Sequence, residues 1–111
     1  MKDLKLEGGN KFDGDKLRYD LVSPHFEMEL ARVMTYGAKK YGDRNWEKGI
    51  SVSRYYSALR RHLSAWIAGE EMDEESNLHH LAHATACIMM MKETVRLRPK
   101  KDDRKELTGG V

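Results

Sequence analysis

Three stretches of the chain repeat apolar residues at the three-to-four-residue spacing of an α-helix. The first runs over about 25–41, where Leu30, Val33, Met34, Gly37 and Tyr41 fall on one stripe and Gly42 supplies the stop. The second runs over about 53–69, with Ser51 or Ser53 as N-cap and Tyr55, Leu59, Leu63, Trp66 and Ile67 on one face. The third covers about 77–97, opens at Ser76 or Asn77 and stops before Pro99. It is apolar nearly all round, from Leu78 and Leu81 through Ala84, Ala86, Cys87 and Ile88 to Met91. Residues 1–24 hold Gly8, Gly9, Gly14, mixed charges and Pro24 without any period, the pattern of an irregular arm.

These periods predict an all-α protein. A helix apolar on most sides must be buried on most sides, and a chain of 111 residues offers little mass to surround it. The third helix is therefore expected in a bundle completed by a second copy, as a homodimer or homotetramer. The predicted division is an arm over 1–24, a helical domain over 25–97 and a solvated, flexible tail over 98–111, where KKDDRKELTGGV has little to bury.

Composition narrows the class. The apolar fraction of 40% and the charged fraction of 34% fit a globular domain. The net charge of +2 argues against a dedicated nucleic-acid binder. Cys87 has no partner for an internal disulfide, which suits a reducing cytoplasm. No apolar run reaches membrane-spanning length and no apolar leader is evident, so no membrane partner is expected.

The candidate chemistry lies mainly between the second and third helices. GEEMDEES (69–76) holds Glu70, Glu71, Asp73, Glu74 and Glu75, a self-repelling density unless something cationic offsets it. Glu70-x-x-Asp73 and Glu71-x-x-Glu74 have the three-residue spacing that lets carboxylates share one face and hold Mg²⁺; a solvated loop feeding the helix dipole is the plainer alternative. NLHHLAHATA (77–86) follows. His80 and His83 face the same way, His79 points further round, and a buried pair needs the acidic loop for hydrogen bonds. Zinc is disfavoured, because no Cys-x-x-Cys or His-Glu-x-x-His accompanies the pair. His62 lies at the edge of the second helix, one turn before Trp66.

Glu29 shares a stripe of the first helix with Tyr36 and Lys40 and offers a ligand from a third element. Lys11, Lys16 and Arg18 stand among glycine and aspartate in the arm, which suits phosphate contact although no P-loop pattern is present. YGDRNWEKG (41–49) places Arg44, Asn45 and Trp46 on a loop. An amide beside a large ring can read a nucleobase; equally, the tryptophan can simply anchor the loop.

Taken in order, KFDGDKLRYDLVSP, ARVMTYGAKKYGDRNWEKG, LRRHLSAWIAGEEMDEES and HLAHA resemble a phage and bacterial family of small dATP/dGTP diphosphohydrolases of the all-α, MazG-like NTP pyrophosphatase type. The resemblance covers about residues 10–92. It implies a helical bundle assembled as an oligomer, and Mg²⁺- or Mn²⁺-dependent cleavage of dGTP or dATP between the α- and β-phosphates. It implies metal ligands among Glu29, Glu70, Asp73 and Glu74, and catalytic roles for Glu70, Asp73, His80 and His83. Lys11, Lys16, Arg18, Lys40, Asn45, Trp46, Arg61 and His62 would bind substrate. The chain departs from the pattern where His80-x-x-His83 stands in place of Glu-x-x-Asp. Asn77 also replaces a glycine, His79 a proline, and Asp15 separates Gly14 from Lys16. An HD-type phosphohydrolase, also helical and histidine-rich, is one other reading, although the His-Asp dipeptide it requires for metal binding is absent. A non-catalytic phage nucleotide-binding or interaction protein with structural histidines is the second.

Overall fold

The computed structural model describes residues 5–6, 9–10 and 14–109, and its architecture is all-α. The order is α1 (Pro24–Tyr41), α2 (Val52–Ile67), α3 (His80–Leu97) and a short α4 (Arg104–Leu107). Single 3₁₀ turns lie at Tyr19–Leu21, Asn45–Lys48 and Pro99–Lys101. In the arm, Lys5–Leu6 pairs antiparallel with Gly9–Asn10.

Local caps start α1 and α3, whereas α2 is capped from far along the chain. Ser23 caps α1 by accepting from the Phe26 N–H at 3.1 Å, with Pro24 just inside the start. Gly42, at φ 97°, ends it with Lys39 and Lys40 in the last turn. At α2 the Ser51 side chain makes no cap; instead Asp103, fifty positions away, accepts from the Ser53 N–H at 2.8 Å and from the Ser53 hydroxyl. Residues 99–107 thus form short helical turns that return to α2, which the reading of 98–111 as a solvated tail did not anticipate. Local composition looked soluble, and the cap is a long-range contact. His79 caps α3, its Nδ1 accepting from the Leu81 N–H at 3.0 Å.

The helix α3 is the spine. Both α1 and α2 pack on it and make little contact with each other. Ala82, Ala84 and Ala86 are almost fully buried along α3, and their small side chains let the neighbouring backbones approach closely. Val33 of α1 joins Ala82 and Ala86 in the core, with Leu30, Met34, Leu78 and Met90 against it. Burial is not complete round the spine: Ile88 is 54% exposed, and on α2 Tyr56, Leu63 and Ile67 are also exposed. No helix among the described residues is long and apolar enough to cross a membrane.

Candidate active site

Because α1 and α2 lean separately on α3, a cleft of about 590 Å³ opens between them. One wall is α1 with Tyr36, Lys40 and Tyr41; the other is α2 with Arg54, Tyr55, Arg61 and His62. The 42–50 loop supplies Arg44, Asn45 and Trp46, and α3 supplies His83, Cys87 and Met90 as the floor. Asp73 and Glu75 enter from the acidic loop.

That loop is not helical. The second apolar period was expected to run to residue 69 and the third to begin at 77, but α2 ends at Ile67, Gly69 turns at φ 103° and α3 starts only at His80. The three-residue carboxylate spacings therefore do not define one face. Instead each acid finds a separate partner. Glu70 Oε1 lies 3.0 Å from His80 Nε2, and Glu71 Oε2 lies 2.9 Å from His79 Nε2. Asp73 Oδ2 accepts from the Ser76 N–H at 2.9 Å and from its hydroxyl at 2.8 Å. Glu75 Oε1 accepts from the Tyr36 hydroxyl at 3.0 Å and pairs with Lys40. This distribution disperses the repulsion of the acidic run. Asn77 holds the turn at φ 57°, a left-handed geometry that asparagine tolerates, and donates its N–H to the Asp73 carbonyl at 2.7 Å.

Three histidines converge where α2, α3 and the loop meet. His62 and His83 lie face to face, with centroids 4.5 Å apart and planes 3° from parallel. His62 Nδ1 is 2.9 Å from His80 Nδ1. Burial, with the neighbouring His83 second, pushes His62 down to about 4 and keeps it neutral near pH 7. Burial also lowers His83, against the pull of Asp73. The Ser76 hydroxyl donates its hydrogen bond to the Asp73 carboxylate, so its oxygen accepts from His83 Nε2 at 2.7 Å. Burial pushes Asp73 up, but the two hydrogen bonds from Ser76 and the nearby imidazoles outweigh it and hold the carboxyl below its ordinary range. Lys40 holds Glu75 low in the same way, and burial raises the Cys87 thiol to about 11, which leaves it protonated and unreactive.

The sequence-predicted residues divide on this geometry. Lys40, Asn45, Trp46, Arg61, His62, Asp73 and His83 line the cleft, and His80 backs His62 with Glu70 behind it. Glu29 is on α1 but turned to His25 at 3.3 Å, and Glu74 is exposed; neither is among the cleft residues. Lys16 and Arg18 are exposed and also outside the cleft, Arg18 being paired with Asp20. Lys11 lies outside the described residues. Arg54, Glu75 and Ser76 carry no site role in the sequence reading, Ser76 marking a helix start and Glu75 one acid of a run; Arg44, which the sequence places beside Asn45 and Trp46, lines the cleft with them.

Among the described residues, His62, Asp73 and His80 form a cluster able to hold a metal ion, with one ligand atom of each lying within 4.8 Å of the others. Two imidazoles with one carboxylate form a mixed nitrogen–oxygen donor set. A cleft joining such a set to a tryptophan, an amide and several cations is suited to a phosphorylated ligand with a flat ring.

The sequence profile described as "dATP/dGTP diphosphohydrolase, N-terminal" matches residues 7–104. A protein of Salmonella phage PMBT28 named "dATP/dGTP diphosphohydrolase" is 38% identical over 97 residues, which cover 87% of this chain and 33% of that relative. The chain thus spans about a third of the length of the curated relative it matches. No solved structure matches it. The profile match embraces α1, the cleft loop, α2, the acidic loop and α3 together, and on it the chain belongs to the dATP/dGTP diphosphohydrolase N-terminal family.

Proposed function

We propose that the cleft binds a purine deoxynucleoside triphosphate, dGTP or dATP, and hydrolyses it between the α- and β-phosphates to the monophosphate and pyrophosphate. The observation that carries this reading is one continuous cleft containing Asn45 and Trp46, four cations (Lys40, Arg44, Arg54, Arg61) and Asp73 beside His62. A volume of about 590 Å³ suits a nucleotide-sized ligand. The name of the phage relative points the same way.

The resemblance implies Mg²⁺ or Mn²⁺. Mg²⁺ takes hard oxygen ligands, whereas Mn²⁺ accepts imidazole as well, so the set of His62, Asp73 and His80 fits Mn²⁺ and not Mg²⁺. When bound there, the ion would supply positive charge to the phosphates and Lewis acidity toward water. The chain's own residues do the rest. Lys40, Arg54 and Arg61 neutralise the β- and γ-phosphates, which leave as pyrophosphate. Trp46 stacks on the base and Asn45 reads its edge. Asp73, held ionised by Ser76, accepts a proton from the attacking water. His83 holds Ser76, and through it Asp73, in place.

The exposed Ile88, Leu63 and Ile67 leave an apolar surface on α2 and α3 that a second copy of the chain would cover, in keeping with a homo-oligomer. The reading is tested by turnover across a nucleotide panel. Purine deoxynucleotides should be preferred, and Trp46→Ala and Asn45→Ala should raise KM for them. Equal turnover of pyrimidine and purine substrates by the unaltered chain would contradict the assignment of the base site.

A further inference from the structure

The acid-rich loop draws attention to carboxylates as metal ligands, but the built feature is a pair of ring nitrogens aimed at each other. His62 Nδ1 and His80 Nδ1 approach to 2.9 Å across the α2–α3 interface, and His80 is only 4% exposed. Glu70 accepts from His80 Nε2 at 3.0 Å. A carboxylate accepts only, so the His80 ring proton belongs on Nε2, and Nδ1 presents its lone pair to His62. A carboxylate behind an imidazole in this way is the arrangement that orients metal-ligating histidines. Asp73 completes the group: Ser76 occupies its Oδ2 twice, and among the described residues no hydrogen bond reaches Oδ1.

The geometry points to a nitrogen-rich centre for a divalent first-row transition ion, held by His62, His80 and Asp73 and oriented by Glu70, which prefers late ions such as Zn²⁺ and Co²⁺ to Mn²⁺ and discriminates against Mg²⁺. It deepens the proposed function at the same site but does not depend on the reaction. In the metal-free chain, one proton is shared between the facing nitrogens. On binding, the ion takes its place, and the His62 proton moves to Nε2, so two neutral imidazoles become ligands with no bond to carbon made or broken. Two nitrogens bound at about 2.0 Å to one tetrahedral ion lie about 3.3 Å apart. To share one ion the rings would part by a few tenths of an ångström and turn so that both Nδ1 lone pairs converge on it instead of on each other. Three protein ligands leave a position open toward the cleft, which His62 and Asp73 both line. The preference follows from the donor set: imidazole affinity rises from Mn²⁺ toward the late first-row ions, while Mg²⁺ dehydrates reluctantly and wants oxygen.

The test is metal titration of the full chain, freed of metal, without nucleotide. Calorimetry should give one Zn²⁺ per chain, bound at least about tenfold tighter than Mn²⁺, with Mg²⁺ weaker still. Co²⁺ should give visible d–d bands that His62→Gln and Asp73→Asn abolish. Because a variant at the buried stack can unfold, the ¹⁵N spectrum of histidine-labelled wild-type chain provides the second reading. Zn²⁺ should move the Nδ1 resonances of His62 and His80 and leave His25 in place. Mg²⁺ affinity equal to that of Zn²⁺, or zinc shifts confined to other histidines, would overturn the inference. Nucleotide turnover with Mg²⁺ but no Zn²⁺ site would overturn it while leaving the proposed reaction standing. Zn²⁺ bound as described, with no nucleotide turned over, would support it while sinking the reaction.

Discussion

His62 Nδ1 stands 2.9 Å from His80 Nδ1, and Glu70 fixes the far side of His80 at 3.0 Å. The pair is therefore directional, since the carboxylate decides which His80 nitrogen faces α2. Replacing Glu70 with leucine should free the His80 tautomer and weaken metal affinity by roughly 10- to 100-fold, as loss of a ligand-orienting partner does. Glu70→Gln, which still offers an acceptor oxygen, should restore much of it. Calorimetric affinities of the two variants check this; equal losses would mean that charge, not orientation, is what Glu70 contributes.

Glu75 occupies Lys40 and the Tyr36 hydroxyl at the mouth of the cleft. A phosphate reaching Lys40 must displace a carboxylate. Glu75→Gln should remove that competition and lower KM for the nucleotide several-fold with little change in kcat, while Lys40→Ala should raise KM. A raised KM in Glu75→Gln would show that Glu75 positions Lys40 for substrate instead of competing for it.

Arg44 lines the cleft with a left-handed backbone at φ 52°. For a residue with a Cβ, that conformation costs on the order of 1 kcal/mol, and strain of this kind gathers at functional loops. Arg44→Gly should relieve the strain and remove a cation at once. The thermal midpoint should hold or rise, while KM rises. A fall in midpoint with unchanged KM would make Arg44 a structural residue, acting through its 3.0 Å ion pair with Glu47.

Asp103 caps α2 from the far end of the chain. The hydrogen bonds from Ser53 hold its carboxyl below the ordinary range. A folded pKa below the unfolded one stabilises above the unfolded value, near about 4, and that contribution is lost as pH falls through the folded pKa. Asp103→Ala should lower the midpoint by a few degrees at neutral pH, roughly the effect of losing one helix cap. The difference from wild type should shrink as pH drops below about 4. A gap constant down to pH 2 would contradict the role of the ionised cap.

The helices were legible because apolar periodicity reports a buried face wherever the face lies. Their ends were less so. The acidic run between the second and third helices is legible as a connection, but its carboxylates are spaced as if on a helix face; with Gly69 and Asn77 at positive φ, that three-residue spacing loses its meaning. His80 and His83 stood out by their helical spacing, yet His80's nitrogen partner is His62, 18 positions away on another helix, a distance that periodicity does not carry. Glu29 had the right stripe, but its neighbour His25 takes its carboxylate. Lys40, Asn45, Trp46 and Arg61 were legible by residue type, and the structure adds that one cleft joins them.

Product analysis after incubation with dGTP and Mn²⁺ tests the central claim most directly. Pyrophosphate and dGMP in equal amounts, with turnover abolished in Asp73→Asn, is the predicted result; release of orthophosphate or tripolyphosphate, or undiminished turnover in Asp73→Asn, would contradict it.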